Sequence, residues 1–237
     1  MKTRLLLFIL FECMILLAHS QDKGYIVLSL GSGFPTGDFG SNNINNEAAG
    51  FATTGTIVDL SLAQKFGNNF GMTLLARIQV NGVDTDPLLE ELSAEYPGIP
   101  WTAEEHNWAT EAFMGGFYGS FPLGNGKFNF ETRALIGLVR SVSPEFTFSA
   151  FTNNHYYEAT TLSATADAFG YLFGVGFKLG IGKHLGVLLN VDYLGANPEF
   201  EDVMSYTRID AIYNTSSNTF QQSFGSLNVG VGIGWRW

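Results

Sequence analysis

The residues whose types and spacing could do chemistry are seven charged side chains spread along the chain. Each lies in a segment where large apolar residues alternate with small or polar ones, and each takes a small or polar position. Because side chains alternate between the two faces of a strand, all seven are expected on one polar face. The set mixes acids and bases, as ion pairing requires. Its members are Asp59, Arg77, Glu131, Arg133, Lys178, Asp192 and Arg236.

Two interpretations of these charges are open. They could line a water-filled lumen that conducts ions, or they could pair with one another and plug the interior of the protein. Buried charges are unfavourable unless they are paired, and both signs are present here. We therefore favour a plugged core, with the ion-conducting lumen as the alternative.

Catalytic constellations are not evident in the sequence. After residue 20 the histidines are His106, His155 and His184, and no HExxH, G-x-S-x-G or phosphate-loop motif is present. His155 could be grouped with Glu158 and Ser163, but no characteristic spacing supports that grouping. We expect no catalytic residue, no cofactor and no metal site, and a protein that is not an enzyme.

One segment is strongly acidic. Residues 84–106 contain seven carboxylates, three prolines and no Lys or Arg. Carboxylates suit Ca²⁺, but the spacing of an EF-hand is absent, so a solvated acidic loop is the expected structure and cation binding is the alternative. Residues 88–96 could form a short helix within it.

Eight segments have the two-residue period of β-strands. The clearest ends the chain, where Val229, Val231 and Ile233 oppose Gly230 and Gly232. A large apolar face opposite a small polar one is typical of a transmembrane barrel strand, with lipid outside and a narrow interior. The predicted strands are 23–33, 50–66, 70–83, 107–121, 127–140, 167–181, 185–194 and 223–237.

The connections alternate strictly between short and long. Short turns at 67–69, 123–126 and 182–184 alternate with long loops at 34–46, 84–106, 143–166 and 197–219. All short turns and both ends of the barrel then share one rim, and an even strand number leaves no open edge in lipid. The sequence predicts an all-β, eight-stranded antiparallel up-and-down transmembrane β-barrel, and a three-residue turn at 67–69 places Asp59 opposite Arg77.

Composition and the first residues indicate an exported membrane protein. Charged residues make up 14% of the chain, against about 25% in soluble domains. Residues 1–20 have the basic start, apolar middle and small-residue end of a signal peptide, which leaves 21–237 as the barrel domain and Cys13 outside it. That domain has ten Lys and Arg, twenty-one Asp and Glu, and hence a net charge of −11, which argues against binding nucleic acid. The structural alternative is a soluble lipocalin-like barrel with its apolar face inward.

On these features the chain resembles the small outer-membrane β-barrels of the OmpA/OmpX type, within the porin-like barrels of Gram-negative bacteria. Gly232, Trp235 and Trp237 match the C-terminal assembly signal of that family, and residues 33–40 resemble it more weakly. The resemblance implies insertion by the outer-membrane assembly machinery, contact with outer-membrane lipids, and termini in the periplasm.

Members of this family differ in function, so the resemblance does not select one. We expect a non-enzymatic structural or surface-interaction role, carried by long extracellular loops that would meet an unidentified partner. A narrow diffusion pore and a barrel enzyme that modifies lipid A are the alternatives.

Overall fold

The computed structural model describes residues 24–124 and 127–237, and eight of its strands close into an antiparallel barrel. The predicted fold class is confirmed. The predicted signal peptide lies outside the described residues, as do Asn125 and Gly126 of the predicted turn 123–126. With strands numbered in chain order, the barrel strands are β1 (Gly24–Pro35), β2 (Ala52–Lys65), β3 (Phe70–Val83), β5 (Trp108–Leu123), β6 (Phe128–Val142), β9 (Thr165–Ile181), β10 (Leu185–Ala196) and β13 (Phe224–Arg236).

The barrel closes through pairing of its first and last strands. β1 pairs with β13 over eleven consecutive residue pairs, so neither strand leaves an open edge in the membrane. A path that follows paired residues around the barrel from Glu111 returns to β5 at Phe121, ten residues further on. Eight strands with this stagger enclose a space that side chains can fill.

The outward face of the barrel is apolar, as the period-two pattern predicts. Leu30, Ile78, Phe169 and Ile233 are each more than half exposed on this face. In water such a belt would be strongly unfavourable, whereas the hydrocarbon of a bilayer matches it. Val27 is an exception to the polar inner face of β1. Its side chain points inward and is 1% exposed.

The apolar belt ends at a row of charges on the outward face. Glu111 of β5 pairs with Arg140 of β6, and Arg140 pairs with Asp167 of β9. The Arg140 Nε donates a hydrogen bond to the Asp167 carboxylate at 2.8 Å. Glu111 lies on the same outward face as Phe113 and Phe117 of β5, with no bulge between them, so at this height three neighbouring strands have left the hydrocarbon.

The long loops are more ordered than the sequence analysis expected. Five strands from three of these loops form a second sheet, which we call the crown sheet, in the order β12-β11-β8-β7-β4. The predicted helix near 88–96 is confirmed as α1 (Asp86–Glu95). The crown strands are β4 (Thr102–Glu105), β7 (Phe146–Thr152), β8 (His155–Thr161), β11 (Glu199–Ile209) and β12 (Ile212–Gln221).

The crown sheet grows directly out of the barrel at its long-loop end. The ladder between β10 and β13 ends at the pair Ala196–Phe224, and the ladder between β11 and β12 begins at Glu199–Gln221. The hairpin β11–β12 thus continues the barrel hairpin outward. Within residues 24–124 and 127–237, no helix combines the length and hydropathy needed to cross a membrane.

Candidate functional site

The barrel interior is centred on the guanidinium group of Arg77. Its Nε and Nη2 donate to the two carboxylate oxygens of Asp59, both at 2.7 Å, which is a bidentate pair. The two residues face each other on β2 and β3, the register that a three-residue turn at 67–69 requires. Nη1 donates to Asp192 of β10 at 2.8 Å, from across the lumen. All three side chains are at most 1% exposed.

Further charges of both signs surround this centre. Arg133 forms a close ion pair with Asp192 and lies 3.9 Å from Asp59. Lys178 pairs with Glu131, which also accepts a hydrogen bond of 2.9 Å from the hydroxyl of Tyr25. With Arg77, three cations balance three carboxylates, so the interior cluster is electrically neutral.

Arg236 lies apart from this cluster, although the sequence analysis grouped it with the interior ion pairs. Its guanidinium is at the short-turn end and donates to the backbone carbonyls of Gly182 and Lys183, at 3.2 and 2.9 Å. The reason is positional, because β13 ends at the rim and the nearest acceptors there are the carbonyls of the adjacent turn.

Polar side chains continue the network beyond the charged centre. Gln79 donates to Ser226 at 2.9 Å and to Asn81 at 2.8 Å, and Asn228 donates to Asp192 at 3.3 Å. Two interior voids, one beside Arg133 and one beside Lys178, measure about 20 and 30 Å³. Spaces of this size hold a water molecule or two, and the guanidinium of Arg77 lies across the lumen between Asp59 and Asp192.

An aromatic plug closes the long-loop end of the barrel. It consists of Phe39, Trp108, Phe200 and Phe224, all at most 4% exposed. Phe39 packs edge-on against Trp108 with ring centroids 5.5 Å apart, and the Trp108 indole donates to the carbonyl of Gly50 at 2.8 Å. The segment between β1 and β2 is thereby folded over the barrel mouth.

The plug is continuous with apolar side chains inside the barrel. The sequence predicts an interior of glycines and charges, but four more apolar side chains point inward and are fully buried in one cluster with the plug: Leu75, Met114, Leu135 and Leu172. The sequence signal was present, because Leu75 and Leu172 have the parity of the polar face. Neither the plug nor this cluster was predicted.

The histidine considered for catalysis has a structural role at the tip of the crown sheet. The His155 ring donates from Nδ1 to the Asp210 carboxylate at 2.6 Å, which joins the β7–β8 hairpin to the β11–β12 hairpin. This hydrogen bond lowers the pKa of Asp210 below its ordinary value. Glu158 instead accepts a hydrogen bond of 2.6 Å from the hydroxyl of Tyr156. In the described part of the chain, no three His, Cys, Asp or Glu side chains are grouped as metal ligands.

The residues that match the assembly signal lie on β13 and just after it. Trp235 points outward and stacks on the ring of His184 at 5.0 Å, and the backbone N–H of Trp237 donates to the carbonyl of Gly24. Gly232 faces the interior between Ser29 and Leu188. A side chain at Gly232 would collide with the Ser29 hydroxyl.

Neither a protein-family model nor a curated protein sequence matches the chain. Several solved structures, however, have a similar fold. A major outer membrane protein from Thermus thermophilus aligns with a TM-score of 0.52 at 10% identity, over 90% of this chain and 99% of that one. The outer membrane protein OprG from Pseudomonas aeruginosa aligns with a TM-score of 0.50 at 12% identity, over 92% and 97%. At such identities the likeness shows the fold alone.

That fold is the closed eight-stranded β-barrel found in these small outer-membrane proteins. The belt of exposed apolar side chains matches the hydrocarbon of a bilayer, which supports a barrel embedded in a membrane.

Proposed function

We propose that this protein is a non-enzymatic outer-membrane barrel that acts at the cell surface through its crown sheet. The observation that carries the proposal is the division of the molecule into a filled barrel and an ordered sheet beyond it. Arg77 and its carboxylate partners block the lumen, which disfavours transport, while the crown sheet presents five strands outside the membrane belt.

The proposal includes an orientation. Short turns face the periplasm in outer-membrane barrels, so Gly24 and Trp237 lie on the periplasmic side and the crown sheet lies outside the cell. Gly232, Trp235 and Trp237 then act as the signal that the outer-membrane assembly machinery recognises. The lipid A-modifying alternative has little support, because His155, Glu158 and Ser163 do not form a catalytic group.

Cysteine labelling on intact cells tests the orientation. Residues 21–237 contain no cysteine, so any label on this part of a single-cysteine variant reports the introduced cysteine. We expect a membrane-impermeant maleimide to label Glu91→Cys, on the exposed surface of α1, in intact cells. The matched variant Lys183→Cys, in the turn at the opposite rim, should be labelled only after the outer membrane is permeabilised. The reverse pattern would contradict the proposal.

A further inference from the structure

One edge of the crown sheet is long and unprotected. β12 is the last strand in the sheet order, so one of its sides has no partner among the described residues. Proteins usually protect such edges with charges, prolines, bulges or short strands. The ten residues of β12, IYNTSSNTFQ, include no charged residue, no proline and no glycine, and nine of them are exposed.

The free backbone groups of β12 can be assigned from its neighbour. The carbonyl of Met204 in β11 accepts the N–H of Leu162, on the side of β11 away from β12. Its partner across the ladder, Ser217, therefore belongs to a pair that is not hydrogen-bonded. In such pairs the N–H and C=O groups point away from the neighbouring strand. Ser217, Thr215 and Tyr213 thus present their backbone groups to solvent.

The opposite edge of the sheet differs in each of these respects. β4 spans four residues, and two of them are Glu104 and Glu105. A short, charged edge resists pairing with another chain. The contrast leaves β12 as the edge of the crown sheet that is suited to accept another strand.

Charge indicates what kind of strand would bind. Outside the barrel, residues 36–51, 84–107, 143–164 and 197–222 contain fifteen carboxylates, and Arg208 is their one Lys or Arg. A field of this sign attracts basic polypeptides and repels a second copy of the same surface. The carboxylates are Asp38, Glu47, Asp84, Asp86, Glu90, Glu91, Glu95, Glu104, Glu105, Glu145, Glu158, Glu199, Glu201, Asp202 and Asp210.

We propose that the free edge of β12 binds an extended, basic segment of a partner protein by strand addition. Main-chain hydrogen bonds to Tyr213, Thr215 and Ser217 supply the pairing, and the acidic surface selects the charge of the partner. The proposal rests on the surface role given above, since such a partner would come from outside the cell. Binding by the purified protein, however, is independent of orientation, so failure here and failure of the labelling experiment are distinguishable.

The test uses the full barrel in lipid nanodiscs and a synthetic probe. The probe is a fluorescent peptide that alternates lysine and valine, with ten residues to match β12. We expect it to bind the wild type, and Thr215→Pro to weaken binding roughly tenfold, because proline removes a free-edge donor without removing a bond to β11. Thr215→Ala, which keeps the N–H, should bind like the wild type.

A modified probe tests the proposal even if the proline variant misfolds. The same peptide with an N-methyl group on every backbone nitrogen keeps its charge but loses the donors of both edges, and it should bind the wild type much more weakly. Equal binding of both peptides would show attraction by charge alone and overturn strand addition. Equal binding by Thr215→Pro and the wild type would overturn the assignment to β12, and self-association of the wild type through β12 would overturn the choice of partner.

Discussion

Replacement of Arg77 by methionine is expected to lower the free energy of unfolding by about 3–5 kcal/mol, the range for breaking a buried ion pair. Arg77 is fully buried and hydrogen-bonded to both Asp59 and Asp192. Methionine keeps much of the volume but removes one of the two cations that these carboxylates share, so Arg133 is left with both of them and the interior cluster is one positive charge short. Urea unfolding in lipid vesicles, followed by the loss of the compact band on unheated SDS gels, measures the change.

Two further variants serve as controls for Arg77→Met. Lys183→Met makes the same chemical change at an exposed turn and should alter stability by less than about 0.5 kcal/mol. Addition of Asp59→Asn to Arg77→Met should recover part of the loss, because it returns the interior cluster to electrical neutrality. Wild-type stability in Arg77→Met would contradict the role assigned to the interior cluster.

Replacement of Trp108 by alanine should cost about 3–5 kcal/mol, as truncation of a large buried aromatic residue usually does. The ring packs against Phe39 and Phe200, and its N–H donates a hydrogen bond to the carbonyl of Gly50. We also expect residues 36–51 to exchange their backbone hydrogens faster, since the indole fastens this segment over the barrel mouth.

The controls for Trp108 separate packing from the hydrogen bond. Trp108→Phe keeps a ring but not the indole N–H and should have an intermediate effect. Phe151→Ala, at a side chain that is 64% exposed on the crown sheet, should have little effect. Unchanged exchange in residues 36–51 of Trp108→Ala would show that the plug is held by other contacts.

The barrel could be predicted from the sequence because its determinants are local. A period of two sets the faces of each strand, and a short turn sets the register of its hairpin, so the pairing of Asp59 with Arg77 follows from the turn at 67–69. The contact of Arg77 with Asp192 could not be predicted in this way. β3 and β10 are not neighbours, and contact across the lumen depends on the stagger of the closed barrel.

The crown sheet escaped prediction for a different reason. A strand is recognised when one face is apolar and the other is not, yet both faces of β12 are polar over Asn214–Asn218. β12 pairs above the membrane belt, where nine of its ten residues are exposed and no alternation is needed. The plug was missed because Phe39 lies in a segment rich in turn residues, where burial depends on the folding of the whole loop over the barrel.

Single-channel recording in a planar bilayer tests the central claim, which is that the barrel is filled and that the protein acts through its surface. The folded wild-type protein is expected to leave the membrane current at its baseline over the usual range of voltage and salt, because Arg77 lies across the lumen and the interior voids measure only about 20 and 30 Å³. Stepwise currents from the folded wild type, rising in proportion to salt concentration, would contradict the account and favour a diffusion pore.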